Sequence, residues 1–169
     1  LSASGPTQGR LVCPSDGRVP TKIAWVQCAG SRGLQKEAVS YCSSACCMFA
    51  LKEAMVTKER FQDDIEATVF YMDMRTFGKD YEKYLERARK EFGVRFVRSR
   101  PHTVIRHAEE GQVTVQYAPE EGGVSKEERF DLVVLSTGFR IDAAQRETAG
   151  LLGIDLNEHG FAQTGSFNP

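Results

Sequence analysis

An α/β fold, built on a doubly wound parallel sheet and extended by an antiparallel meander, is predicted by three features of the sequence. Strand-like apolar runs alternate with helical stretches between residues 22 and 99, the order that sets parallel strands side by side with helical crossovers. Three strand-like segments then follow between 102 and 138 with only short polar turns between them. The last of these runs into a glycine turn, as strands that return a chain to a nucleotide crevice do.

Residues 1–21 carry Gly5, Pro6, Gly9, Pro14, Gly17 and Pro20, too much punctuation for a regular element, and read as a linker or arm. "KIAWVQC", 22–28, is a continuous apolar run entering a Gly/Ser turn, the pattern of a buried parallel strand. A helix is expected from about 43 to 60. "EATVFYMDM", 66–74, is rich in β-formers and supplies the second strand. "GKDYEKYLERARKEFG", 78–93, is a helix ended by Gly93 as its C′ residue, and "VRFVRS" follows at once as the third strand. "HTVIRHA", "QVTVQYA" and "EERFDLVVLSTG" make the meander, with "FDLVVLSTGF" as the strand that leads back to the crevice. The tail from 141 to 169 holds one short helix near 143–152.

With 22 basic against 23 acidic residues and a net charge of −1, the chain carries no electrostatic footprint for nucleic acid or an acidic membrane surface. No run approaches the ~20 apolar residues of a membrane span, and no charged segment followed by an apolar one opens the chain. It therefore reads as soluble and cytoplasmic. It begins without methionine and stops at "GSFNP", which reads as an excised piece whose function is shared with absent segments.

Five cysteines are too few for a disulfide scaffold, and four of them, Cys28, Cys42, Cys46 and Cys47, gather in one stretch, which points to ligation or redox work. Cys13 stands apart and reads as incidental. The fold brings the tip of the first strand, with Cys28, to the head of the next helix, where the other three lie. At about 100° per residue a fully helical stretch would splay Cys47 from Cys42, so Cys42 should precede the helix, with Ser43 or Ser44 as N-cap. A helix N-terminus lowers thiol pKa and favours anionic groups. Adjacent "CC" with a third cysteine four residues earlier is awkward for zinc and unlike the common ferredoxin runs. An iron–sulfur cluster, zinc, and buried or redox-active thiols all stay open on spacing alone.

The layout matches the pyridine-nucleotide domain of thioredoxin-reductase-like flavoproteins, although the first turn reads "CAGSRG", with glycines at 30 and 33 but without the full G-x-G-x-x-G spacing. "PSDGRVPTKIAWVQCAGSR", "YCSSACCMFALKEA", "FYMDMRTFGKDYE" and "DLVVLSTGF" resemble the A-subunit family of heterodisulfide reductase and the flavoprotein subunits of quinone-interacting oxidoreductase complexes, over most of the chain. The resemblance implies a central fragment of an FAD and iron–sulfur flavoprotein, in which Cys28, Cys42, Cys46 and Cys47 hold a [4Fe-4S] cluster close to the flavin. It further implies residues 22–140 as a Rossmann-like FAD/NAD(P)-type domain, and 141–169 as a tail leading back to an absent FAD domain. An oxidoreductase that passes electrons between flavin and iron–sulfur centres, working with other subunits of such a complex, follows from it, the isolated piece being inactive. The N-terminal FAD fingerprint and the ferredoxin-like C-x2-C-x2-C segments are missing from this sequence.

Lys52 falls mid-stripe on the apolar face of the first helix, at about 280° from Cys42 beside Met48, Phe49 and Val56. The plain reading is a snorkelling surface lysine. The resemblance implies a catalytic, flavin-side charge. Gly138, in a turn that the resemblance places towards the flavin crevice, is a candidate cofactor-side residue; its plain reading is backbone conformation. Arg75 and Lys79 read as solvated charges. Asp73 resembles a ribose-binding acid but stands nearly 50 residues beyond the first strand, against an expected spacing of about 20. His102, His107 and His159 carry no ligand spacing. Two alternatives accompany the electron-transfer reading: a pyridine-nucleotide-binding domain without a cluster, and a zinc-stapled domain that docks partner subunits.

Overall fold

The computed structural model describes residues 1–33, 36–61, 64–120 and 122–165. They form two compact units, Leu1–Gly138 and a second that begins at Phe139. In the first, β1 (Lys22–Val26), α1 (Cys46–Phe61), β2 (Glu66–Tyr71), α2 (Tyr81–Lys90) and β3 (Arg95–Arg98) are followed by β4 (Thr103–His107), β5 (Gln112–Tyr117), β6 (Lys126–Phe130) and β7 (Leu132–Leu135). The second unit carries α3 (Ala143–Leu151), close to the helix expected near 143–152.

β1, β2, β3 and β7 make one parallel sheet in the order β3-β2-β1-β7, while β4, β5 and β6 make a separate antiparallel sheet. The α/β class and the meander read from the sequence both stand. Successive side chains on a strand face opposite ways, so each parallel strand feeds two cores. Ile23, Trp25, Ala67 and Val69 pack with Leu51, Ala54 and Met55 of α1 and Ala88 of α2. Ala24, Val26 and Phe70 pack with Val115, Tyr117 and Phe130 of the antiparallel sheet. The Phe70 ring meets Tyr117 edge-on at 4.9 Å and Phe130 at 5.9 Å between centroids.

The elements run two to three residues shorter than read at several ends, with α2 at Tyr81–Lys90 against 78–93 and β2 at Glu66–Tyr71 against 66–74, and two further differences bear on the site. α1 begins at Cys46, not near 43, because Ser44 adopts a left-handed backbone with φ 58 that no helix accommodates. "EERFDLVVLSTG" is two strands: β6 pairs antiparallel with β5, and β7 pairs parallel with β1.

The break between them is Asp131. Its Oδ2 accepts from the Thr21 N–H at 2.9 Å, the Thr21 hydroxyl at 2.8 Å and the Lys22 N–H at 3.0 Å, and its Oδ1 accepts from Arg18 Nη1 at 2.9 Å. Burial opposes ionisation of this carboxyl, but the hydrogen bonds from Thr21, Arg18 and Lys22 outweigh it and hold the pKa at about 2. The folded pKa is thus below the ordinary value of 3.8, so the stabilisation is complete above that value and is lost as pH falls towards 2. At about 1.36 kcal/mol per unit this amounts to roughly 2 kcal/mol. Asp131→Asn is therefore expected to lower stability by about that amount at neutral pH and to flatten the acid limb of the unfolding profile. Coincident acid limbs for the variant and the parent would rule the carboxylate out as their source.

The first twenty residues contain no strand or helix, yet Cys13 is 1% exposed and its Sγ lies 3.6 Å from the Asp131 carbonyl oxygen. The residue read as incidental is therefore part of the interior. Among the described residues no helix is long and apolar enough to cross a membrane. Within the second unit, Asp142 and Gln145 cap α3 reciprocally: the Asp142 carboxylate accepts from the Gln145 N–H at 2.8 Å, and the Gln145 side chain accepts from the Asp142 N–H at 2.9 Å.

Candidate functional site

The chain leaves β1 through a loop with three positive-φ positions in five residues: Cys28 (φ 58), Gly30 (φ 71) and Arg32 (φ 53). Ser31 N–H bonds back to the Cys28 carbonyl at 3.1 Å, and Val39 N–H to the Gly30 carbonyl at 3.0 Å. This folding turns the Cys28 thiol towards the head of α1. There, Cys46 and Cys47 occupy the first helical turn, and Cys42 sits on the preceding loop, with the Ser44 N–H 3.4 Å from its Sγ. All four cysteines expected to act together line one small hollow, with Ser31 and Arg75 also on its wall. All are free thiols. Cys42 does precede the helix, as the spacing required.

Cys47 is the deepest of the four, 6% exposed, with its Sγ 4.0 Å from the Asp73 carbonyl oxygen. Burial pushes the Cys47 thiol up, as it does Cys46, and negative charge on Cys28 and Cys42 adds to the shift in both. The lowering expected from the helix N-terminus is therefore overturned at these two positions: desolvation wins over the dipole. Cationic side chains gather beside them. Arg32 Nη1 lies 4.0 Å from Cys28 Sγ and forms an ion pair with Asp73, whose Oδ2 also accepts from Arg75 Nε at 3.3 Å. The Arg32 guanidinium, chiefly by hydrogen bonding, holds the Asp73 carboxyl below the usual carboxylate range. Arg100 ties down the same loop by donating to the carbonyls of Ser31 and Arg32, both at 3.1 Å. Arg75, read as a solvated charge, is thus part of the wall around the thiols, and Asp73, read as a ribose acid, pairs with both Arg32 and Arg75 beside it.

Gly138, with φ +80, packs against two residues of that wall: a Cβ there would lie 2.5 Å from Ser43 Oγ and 2.9 Å from Ser31 Oγ. Ser31 Oγ donates to the neighbouring Thr137 carbonyl at 3.2 Å. Lys52 is elsewhere. The face α1 turns inward carries Cys47, Ala50, Leu51, Ala54 and Met55, while Lys52 is exposed on the other side near Phe49, itself 53% exposed. The mid-stripe position assigned to Lys52 is therefore corrected to a solvent-facing one. His102 lies within hydrogen-bond distance of Thr103 and Ser125 hydroxyls, and His107 of Thr114, so both serve their own sheet.

A second, open cleft lies at the carboxyl ends of the parallel strands, bordered by Gln27, Gly30, Arg100 and His102. Cys28 lines both hollows. Among the described residues, no three His, Cys, Asp or Glu side chains are grouped closely enough for a single metal ion. The residues nonetheless fit a sulfur-ligated group: four thiols converge on one cavity, a backbone N–H already points at one sulfur, and guanidinium groups stand beside it to offset negative charge. Arg32, Ser31 and Arg75 were not singled out for this site from the sequence; the "QCAGSR" turn held two of them.

No family model matches the chain. It is 42% identical over 167 residues to a CoB–CoM heterodisulfide reductase iron–sulfur A subunit of Methanopyrus kandleri, covering 95% of this chain and 24% of that protein. It is also 42% identical over 161 residues to the A subunit of an H2/formate:CoB–CoM heterodisulfide, ferredoxin reductase of Methanococcus maripaludis, again 95% of this chain and 24% of that one. The chain thus spans about a quarter of the length of the curated relatives it matches. Among solved structures, thioredoxin reductase of Lactococcus lactis superimposes with a TM-score of 0.51 at 19% identity, over 88% of this chain and 40% of that one, a likeness of fold.

Proposed function

Because the chain is a relative, along 95% of its length, of the heterodisulfide reductase A subunit, we propose that it is an electron-transfer segment of an FAD- and iron–sulfur-containing oxidoreductase. Cys28, Cys42, Cys46 and Cys47 are the ligands of a [4Fe-4S] cluster. The observation that carries this reading is the convergence of those four thiols on one cavity, one of whose cysteines, Cys28, also borders the open cleft. A bound cluster would accept and release single electrons. Arg32 and Arg75 offset its negative charge, the Ser44 N–H supports the Cys42 sulfur, and the buried side of Cys47 keeps water from it.

Lys52, exposed beside Phe49, is the positive charge offered to the flavin of the whole protein, and Gly138 keeps the wall facing it free of a side chain. Residues 22–140 act as the cluster-bearing Rossmann-like domain, with 1–21 as its arm and 141–169 as the stretch leading on towards the FAD domain. The partners are the other subunits of a heterodisulfide-reductase-like or quinone-interacting complex.

Anaerobic reconstitution with ferrous iron and sulfide is expected to give iron and sulfide at about four each per chain, with a broad visible absorption. A Cys46→Ser/Cys47→Ser double variant should lose both while keeping the far-ultraviolet circular dichroism of the parent. Retention of zinc in place of iron, or no uptake at all, would overturn the cluster. The open cleft favours a second reading, a nucleotide-binding domain without a cluster; that one requires NADH or NADPH to raise the unfolding temperature, by about 2.7 kcal/mol of added stability at 100 times the dissociation constant.

A further inference from the structure

Gln27 follows directly on β1, and its side chain is shut in: the residue is 2% exposed, and neither Nε2 nor Oε1 has a hydrogen-bond partner among the described residues. A primary amide buried with both its donors and its acceptor idle is costly, and buried amides are nearly always paired. Where this amide points can be read from the strand. Ile23 and Trp25 face the helical layer, while Ala24 and Val26 face the antiparallel sheet. The Gln27 N–H donates to the Phe70 carbonyl at 3.0 Å, so pairing with β2 continues through Gln27 and its side chain falls on the helical side.

Trp25 Nε1 donates to Glu53 Oε2 at 2.9 Å, which fixes the level of Trp25 along α1. The head of α1 shares a cavity with Cys28, so the helix runs opposite to β1. Two residues further along the strand is about 6.6 Å, or roughly four helical residues back from Glu53. The Gln27 amide is thereby level with the first turn of α1, whose buried position is Cys47. Cys47 Sγ sits beside the Asp73 carbonyl, three residues beyond Phe70 on the neighbouring strand, so the sulfur and the amide occupy the same end of the same layer.

We infer that the Gln27 side-chain amide donates an N–H to a sulfur of the group held by Cys28, Cys42, Cys46 and Cys47, and so makes that group easier to reduce. This inference rests on the cluster reading above. Thiolate and sulfide sulfurs offer acceptors only, which matches the donor half of an idle amide. An N–H···S bond stabilises the more negative, reduced state, and hydrogen bonds to sulfur are one of the protein's means of setting a cluster's potential. Gln27 is a positioning and tuning residue here; the ligands remain the four cysteines.

The test uses the chain reconstituted anaerobically, titrated with dithionite and followed by visible absorption. Gln27→Met keeps the length and removes the donors; Gln27→Glu keeps the shape, removes the donors and adds charge; Gln27→Asn keeps the donors on a shorter stem. Met is expected to shift the one-electron reduction equilibrium about tenfold against reduction, which is about 59 mV, with Glu shifting it further and Asn less. The cluster-free Gln27→Met chain is expected to melt at the parent temperature or above, because an idle amide has been replaced by an apolar stem. Iron bound in all variants with an unchanged equilibrium would overturn the inference and leave the cluster reading intact. Failure of the parent itself to bind iron would overturn both.

Discussion

Phe70→Ala is expected to remove about 4 kcal/mol of stability, enough to leave the first unit only about 1 kcal/mol if its margin is near the low end of the usual ~5–15 kcal/mol. The ring is 0% exposed and lies between the two sheets, edge-on to Tyr117 and to Phe130. Its loss leaves a cavity that cannot collapse, because the neighbours it touches belong to different sheets, each held by its own ladder. Aromatic pairs of this geometry add a further ~0.5–1.5 kcal/mol beyond area. Phe77→Ala is the control: that ring is 58% exposed, and its truncation should stay within about 0.5 kcal/mol. Urea unfolding of the two variants checks both, and a Phe70→Ala midpoint near the parent's would mean the sheets do not share an interior.

Gly138→Ala is expected to strike the thiol cavity and to cost the fold much less than Phe70→Ala does. The glycine holds φ +80, where an alanine is strained by about 1–2 kcal/mol, and the added methyl would stand 2.5 Å from Ser43 Oγ and 2.9 Å from Ser31 Oγ. Both serines belong to the segments that carry the proposed cluster ligands Cys42 and Cys28, so relief of the contact moves one or the other outward. Iron release to a chelator should accelerate about tenfold or more, equivalent to ~1.4 kcal/mol of lost site stability. Gly150→Ala, in α3, where an added Cβ meets nothing within 4 Å, is the matched control. Equal release rates for the two would mean that the Gly138 wall does not position the cysteines.

The strands of the parallel sheet were legible because each is buried on both faces and so shows as an unbroken apolar run, as "IAWV" and "TVFY" do. The gathering of four cysteines was legible because strand tip and helix head meet in any βαβ unit. The inward face of α1 was not. Apolar residues lie most of the way round that helix, and the wheel position of Lys52 looked central while the sheet selected the opposite side, with the small residues Ala50 and Ala54 that allow close approach. The split at Asp131 was hidden for a related reason: both flanking strands are apolar enough to read as one, and only partners more than a hundred residues away, Arg18, Thr21 and Lys22, fix the change of sheet. The direction of the Cys46 and Cys47 shifts depends on depth, which no local spacing encodes.

The chain has a single tryptophan, and Trp25 is 2% exposed on the helical side of β1, with its indole N–H held by Glu53. An indole shut from water emits at shorter wavelength than a wetted one, so the colour of its fluorescence reads directly whether β1 and α1 are in contact. It also stands two residues before Gln27 and three before Cys28, which lines the thiol cavity. Any visible-absorbing group seated there would drain that emission through energy transfer. One unlabelled chromophore thus separates an empty folded molecule from a loaded one by brightness, and a folded molecule from an unfolded one by wavelength.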